Sequence, residues 1–527
     1  MNNKNYAFLI PFLLCLFMSL GLIVGHFLTL NYKQKESGYS LDKTQKLKDI
    51  FYIIDKKYVD PIDKNQVFEK SLSSFLHNLD PHSNYITADK MKGMTESIEG
   101  NFGGVGLRFF ILRDTICVSQ IISNTPSMRA GLKSGDKIIK IDGQTVAGKQ
   151  ITNEKVMSLL KGKVQTRVKV EVLRNKEFKK FDITRGNIPI ESVVASYVTG
   201  DIGYIKIDQF TVKTAREFHV ASSSLLAKGM KKMILDLRNN GGGVLQSATK
   251  IVDEFLPVGK IIVKTKGKND GEKTYSSLTD GRLKSMPLIV LINENSASAS
   301  EILAGSLQDN DRGLVIGRRS FGKGLVQEDI KLRDGSMIRL TIARYYTPTG
   351  RCIQRPYDNG LEEYYDDNNS RWENGELYQV DSSLFVDSLK FTTPKGKVVY
   401  GGGGIMPDVF VPFDSSGRSL YYTNLSLIKA TQSFSFDYVA DKRSKWNSFK
   451  EFNRTADAAK ILKSFVLYAN KNYQLNLDFD EINRGSNKFS NDLKSEIARQ
   501  LWVEQGYYFV NNKQDNVFLK AIQLLTD

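Results

Sequence analysis

The chain has 527 residues, 41% apolar and 25% charged, with a formal net charge of +16. That length exceeds a single ordinary core, and the composition excludes a disordered or fibrous chain, so several globular domains are expected. Three cysteines are too few for a disulfide framework. The basic residues are scattered among many acids, with no basic run and no zinc spacing, which argues against nucleic acid as a partner.

In chain order, Tyr6 to Leu30 carries no formal charge. As a helix it would cross a hydrocarbon core of about 30 Å, so residues 6–30 are expected to be a transmembrane anchor or an uncleaved signal. No small-residue cleavage site follows, and Phe12, Leu13 and Leu14 before Cys15 are unlike a lipidation site. Membrane attachment would also suit the diffuse positive charge, through anionic headgroups.

Residues 41–95 are expected to be a helical segment, with a turn in "LDPHSNY" marked by Asp80 and Pro81. The glycine cluster "NFGGVGLRF" opens a β-rich module over 96–186. It contains the alternating runs "TICVSQII", "KIIKIDG" and "RVKVEVL", and one helix from Asn153. Residues 187–425 read as a layered α/β core. Strand "IGYIKI" is followed by a helix Thr214–Lys228, with Phe218, Ala221 and Leu225 on one face, and then by "KMILDL", "PLIVLIN", a helix from Ser298, "LVIG" and "MIRLTIARYY". Residues 358–397 read as an acidic, aromatic insertion. Residues 426–527 are expected to be helical, with Leu493, Ile497 and Leu501 on one face.

Histidine chemistry is poorly supplied: of four histidines, His26 lies in the apolar segment and His77, His82 and His219 are distant in sequence from any serine cluster. No metal-ligand spacing occurs. "NENSASASEILAG" joins an apolar strand to a helix, where backbone N–H groups and the positive end of the helix dipole would stabilise an oxyanion. Ser298 through Glu301 equally matches a capping box, so the stretch alone leaves nucleophile and cap both open.

"SFGKGLVQ" supplies a partner. A lysine acts as a base only when neutral, so its pKa must fall from about 10.4 towards 7 or 8 through burial and nearby positive potential. Lys323 sits between two glycines, and Gln327 is placed to hold an amine without charging it. An exposed lysine in a glycine turn is the plain alternative. A phosphate loop is disfavoured because Gly324 stands where Ser or Thr is needed. In "ILDLRNNGGG" the glycines either expose N–H groups to a developing negative oxygen or form a tight turn and nothing more.

These motifs, with "LDPHSNY", "FGGVGL", "YYTPTGRCIQ" and "GGGGIMPDV" in the same order, resemble the carboxy-terminal-processing, or tail-specific, serine peptidases over roughly residues 40–425. The resemblance implies Ser298 as nucleophile, Lys323 as base and Gln327 as the group orienting it. It implies an oxyanion hole from the backbone of Ala299 and of Gly242 or Gly243, and no cofactor. The β-rich module is similar to the PDZ domain of such peptidases. Val105, Gly106 and Leu107 would hold a peptide carboxylate, and the docked tail would lie beside Val156 and Leu160.

The expected fold is thus multidomain α+β: an N-terminal transmembrane helix, a helical segment, a PDZ domain, a layered α/β peptidase core and a C-terminal helical region. The expected function is a serine endopeptidase that recognises protein C-terminal tails and cleaves exported proteins. It would be anchored in the inner membrane of the bacterial cell envelope and face the periplasm. Its partners would be proteins or peptides with accessible C-termini, the membrane, and an oligomeric or regulatory partner. The rival is an inactive PDZ adaptor that presents tails to another protease.

Overall fold

The computed structural model describes residues 6–35, 41–269, 271–380, 386–415, 425, 428–477, 479 and 487–527. Two compact units divide the chain at residue 75. In the first, helices cover Tyr6–Lys35 and Leu41–Lys57, and a third begins at Lys64. Phe51 and Phe68 meet edge to face at 5.3 Å between centroids, and Lys64 pairs with Asp55.

The expected transmembrane helix, and the membrane as a partner, need correction. A helix does cover Tyr6–Lys35, but no helix among the described residues is long and apolar enough to cross a membrane.

In the second unit the helical expectation for 41–95 is interrupted. Asp80 closes a turn by accepting the N–H groups of His82 and Ser83 at 2.8 and 2.9 Å. A strand Asn84–Ile86 follows, then a helix Ala88–Glu99 ended by Gly100 in the left-handed region.

The β-rich module is an antiparallel sheet with neighbours in the order Leu107–Leu112, Thr115–Ile121, Lys137–Ile141, Arg167–Arg174 and Glu177–Thr184. In Arg167–Arg174 the alternation turns Val168, Val170 and Val172 into the core. Strand Leu107–Leu112 is an edge of this sheet.

The α/β core is a six-stranded sheet in the order Val193–Thr199, Ile202–Ile207, Lys232–Asp236, Leu288–Ile292, Leu314–Gly317 and Val409–Phe410, parallel after the first pair. Its central strands are continuous apolar runs because both faces are covered. Helices Thr214–Ala227, Leu245–Asp253 and Ala299–Asp309 pack on one face through Phe218, Ile251 and Leu303. C-terminal helices cover the other, where Phe509, Val517 and Phe518 meet Tyr204, Ile289 and Ile316.

"MIRLTIARYY", expected to continue this sheet, belongs instead to a second, antiparallel one. It pairs with Leu325–Lys331, Asn84–Ile86 and Ile261–Gly267. A short turn after Lys331 folds the chain directly back, and a parallel neighbour would have needed a long crossover. In the C-terminal region Leu493 and Ile497 are fully buried beside Phe452 and Phe465, with Leu501 packed at the margin.

Candidate active site

Strand Leu288–Ile292 is buried along its whole length and ends at the turn that leads into helix Ala299–Asp309. Asn293 locks that turn to the neighbouring strand end: its Oδ1 accepts the Asn239 N–H, and its Nδ2 donates to Asn239 Oδ1, both at 2.8 Å. Ser298 sits at the junction with φ 55° and ψ −113°, a conformation that costs a serine strain and lifts its side chain out of the helical path. The Ala299 N–H, first in the helix, has no acceptor among the described residues.

The glycine turn closes over this serine. A Cβ on Gly242 would stand 2.8 Å from Ser298 Cβ and 3.0 Å from the Ala299 nitrogen. The Gly242 N–H is already taken by Asn240 Oδ1 at 2.9 Å. Gly243, at φ +136°, is strapped to Phe210 by bonds that use the flanking groups, Phe210 N–H to Gly242 O and Val244 N–H to Phe210 O. Its own N–H has no acceptor among the described residues. Gly243 and Ala299, rather than Gly242, are therefore the amides left open beside Ser298.

Lys323 arrives on the loop after strand Leu314–Gly317. Its amine donates to Gln327 Oε1 at 3.0 Å, and Gln327 Nε2 donates to the His82 carbonyl at 2.7 Å. Burial, then the Arg339 guanidinium, pulls the Lys323 pKa down to about 8, against the opposing carboxylates of Glu301 and Asp80. The positive potential expected from the helix terminus thus has a side-chain source in Arg339.

Glu301 joins the two halves. Completely buried, its Oε2 accepts the Ser298 and Lys323 N–H groups, each at 2.8 Å. Its Oε1 accepts Gly322 N–H at 2.7 Å and Ser320 Oγ–H at 2.5 Å. Burial raises its pKa even against these four donors. The capping box read from sequence captured its bond to Ser298 but not its hold on the lysine loop. Among the described residues no hydrogen bond joins Ser298 Oγ to Lys323 Nζ; the hydroxyl contacts Tyr345 Oη at 3.4 Å.

Sequence reasoning gave Tyr345, His82 and Arg339 no role and Asp80 only that of marking a turn, although "LDPHSNY" and "YYTPTGRCIQ" held three of the four. His82 is kept neutral, its pKa pushed down to about 3 by burial and by the Lys323 charge. Asp80 anchors its loop by accepting Thr341 Oγ1–H at 3.0 Å.

In the β-rich module, Gly106 at φ +85° lies so close to Thr125 that a Cβ would stand 2.2 Å from Thr125 Cβ. The N–H groups of Val105 and Gly106 have no acceptor among the described residues. Leu107 begins the edge strand. Val156 and Leu160, expected beside a docked tail, face inward into the module's core with Val168 and Val170.

Family models match at three places: peptidase family S41 over residues 201–363, a PDZ domain over 103–184, and a family of unknown function over 421–503. A carboxy-terminal-processing protease of Bartonella bacilliformis is 39% identical over 350 residues, covering 64% of this chain and 78% of that protein. A probable CtpA-like serine protease of Staphylococcus haemolyticus is 32% identical over 356 residues, covering 66% and 71%. Among solved structures, the photosystem II D1 C-terminal processing protease aligns over 60% of this chain and 85% of its own, at 29% identity and a TM-score of 0.35. The class is therefore a serine peptidase that carries a PDZ domain. The chain belongs to peptidase family S41, with the carboxy-terminal-processing proteases.

Proposed function

We propose that the chain is an endopeptidase with a Ser298–Lys323 pair, directed to protein C-terminal tails by its PDZ domain. The observation that carries this reading is the Lys323 amine, whose pKa is lowered to about 8 and which is held by an amide oxygen. A lysine beside Gln327 is neutral in a useful fraction near neutral pH, and an adaptor has no need of one.

Ser298 Oγ attacks the scissile carbonyl as Lys323 takes its proton. The Gly243 and Ala299 amides hold the oxyanion, and the lysinium then delivers the proton to the leaving amine. Water releases the acyl group by the same steps. The step requires the Ser298 hydroxyl to leave its contact with Tyr345 Oη for the Lys323 amine. Glu301 keeps both backbones in register throughout.

The tail docks as a strand on the free edge Leu107–Leu112, its carboxylate on the amides of Val105, Gly106 and Leu107, over a floor that Val156 and Leu160 support from within the core. The reading places the protein on the periplasmic side of the bacterial cell envelope, acting on exported proteins. Its support is the charge-free stretch Tyr6–Leu30, which has the form of an export signal, and cell fractionation checks it.

The decisive experiment digests peptides with apolar C-termini and analyses the products by mass spectrometry. Internal cleavage by the native protein, abolished in Ser298→Ala, is expected. Binding without cleavage, the same in both, would establish the adaptor instead.

A further inference from the structure

Segment 358–397 read from sequence as an insertion without a role, and the S41 match ends at residue 363. Its helix Leu361–Glu373 nevertheless packs against the loop that carries Lys323. Arg371, 1% exposed, donates through Nη1 to the carbonyls of Arg319 and Ser320 at 3.1 and 3.0 Å, and through Nη2 to that of Phe321 at 3.4 Å. Asp367, one turn earlier, balances its charge at 2.7 Å. Just past the helix, Glu376 accepts two bonds from Arg319, each 2.7 Å.

A second bridge from the same helix reaches Gln327. Tyr364 Oη is 2.8 Å from His82 Nε2, and the His82 carbonyl is the acceptor for Gln327 Nε2. The Arg355 guanidinium stacks between Phe321 and Tyr364, 4.0 Å from each ring centroid. The loop between Gly317 and Leu325 has no strand partner of its own, and it contains Gly322 at φ +89°. Such a loop takes its shape from what holds it. Glu301 holds it from the core side, and the insertion from the other.

We propose that Arg371 is a positioning residue for the Lys323 base, and that Tyr364 extends the same brace to Gln327 through His82. The insertion is then part of the catalytic apparatus, a wall that fixes the amine and keeps water from it. This rests on Lys323 being the base.

The groups that face Lys323 are Glu301 from the helix after Ser298, Gln327 from the strand that follows the loop and Arg339 from that strand's neighbour. Asp80 and His82 come from the turn before Asn84, and Arg355 and Tyr364 lie behind Phe321. Burial is the largest of the influences that lower the lysine pKa. Loosening the wall restores hydration to the ammonium, and the carboxylates of Glu301 and Asp80 then favour the charged form.

The test is kcat/KM against pH on a peptide with an apolar C-terminus, in the full chain. Arg371→Met should move the acid limb up by about one pH unit, with about tenfold lower activity at pH 7 that returns to within about threefold of wild type near pH 10. KM should change by less than about twofold. Tyr364→Phe should move the limb in the same direction by a smaller amount, and Arg371→Lys should fall between Met and wild type. A loss of equal size at every pH, or an unmoved limb, overturns the proposal. Should Arg371→Met fail to give a cooperative melting transition, the limb of Tyr364→Phe decides alone. Lys323→Ala separates this from the underlying reading. If it stays active, the base assignment itself falls; if it is inert while the two brace variants keep the wild-type limb, only the brace is refuted.

Discussion

The two halves of the site are made differently. The Ser298 half is backbone at the end of a parallel sheet: a helix N-terminus, a glycine turn and two open amides, fixed by neighbouring strands in register. The Lys323 half is side chain: an amine whose chemistry is set by His82, Glu301, Gln327 and Arg339, from four separate places in the sequence. Donors fixed in the backbone need no reorganisation when charge develops, so the first half can act as a rigid receptor. A tuned pKa requires dehydration on every side, so the second must be assembled from the whole fold.

This difference also decides what could be read from sequence. An apolar run ending in "NENSASASE" and a strand ending in "RNNGGG" are local signals; alone they left cap and plain turn open, and it was the family resemblance that joined Ser298, Ala299 and the glycines. The choice between Gly242 and Gly243 was not legible, because it depends on Asn240 Oδ1 taking the Gly242 N–H, while Phe210, about thirty residues earlier, bonds the Gly242 carbonyl and the Val244 N–H and leaves the Gly243 N–H open. Around Lys323 the signals are non-local: the carbonyl that orients Gln327 belongs to His82, 245 residues away. The insertion gave no pattern at all, since Arg371 acts on main-chain carbonyls whose identity leaves no trace in sequence. Where period-2 alternation was clear, in "RVKVEVL", the strand and its buried face followed directly. The same pattern in "MIRLTIARYY" showed a strand but not which sheet it would join.

The comparison breaks most sharply at the amine. Lys323→Arg keeps the charge and most of the volume but cannot deprotonate, so activity should fall by about three orders of magnitude or more while the fold persists. In the native protein kcat/KM should rise with pH through an apparent pKa near 8, as the ammonium that burial disfavours gives up its proton. An acid optimum would remove Lys323 as the base.

On the serine side the corresponding test is steric. Gly242→Ala places a Cβ 2.8 Å from Ser298 Cβ and 2.7 Å from the Ala297 carbonyl, at φ +99° where alanine is itself strained. Because the turn and Ser298 are both backbone-fixed, neither can give way freely, and kcat should drop about a hundredfold or more with the pH limb unmoved. A variant that shifts the limb instead would show that the two halves are less independent than their construction implies.

The lysine half should also cost stability, which the serine half does through strain alone. Lys323 is charged in the unfolded chain up to about pH 10.5 but only up to about 8 in the folded one. Below pH 8 both states are protonated and the folded state bears the whole penalty. Between 8 and 10.5 the folded state releases its proton first and stability rises; above that the penalty is gone. Lys323→Met should therefore raise stability at pH 7 by about 1–3 kcal/mol, and denaturant melts at pH 11 should show the gain shrinking.

The smallest effect belongs to the PDZ domain, which follows the logic of the serine half because its proposed carboxylate site is again open backbone amides, at Val105 and Gly106. Amidating the terminal carboxyl of a peptide substrate removes a charge that such amides favour by about 1.5 kcal/mol, so kcat/KM should fall roughly tenfold while products and cleavage positions stay the same. A Gly106→Ala variant, whose Cβ would meet Thr125 at 2.2 Å, should lower cleavage of the free-acid peptide and leave the amidated one unchanged. If both peptides lose equally, the module contributes shape to the core rather than recognition of the tail, and backbone-only receptors in this chain reduce to the one beside Ser298.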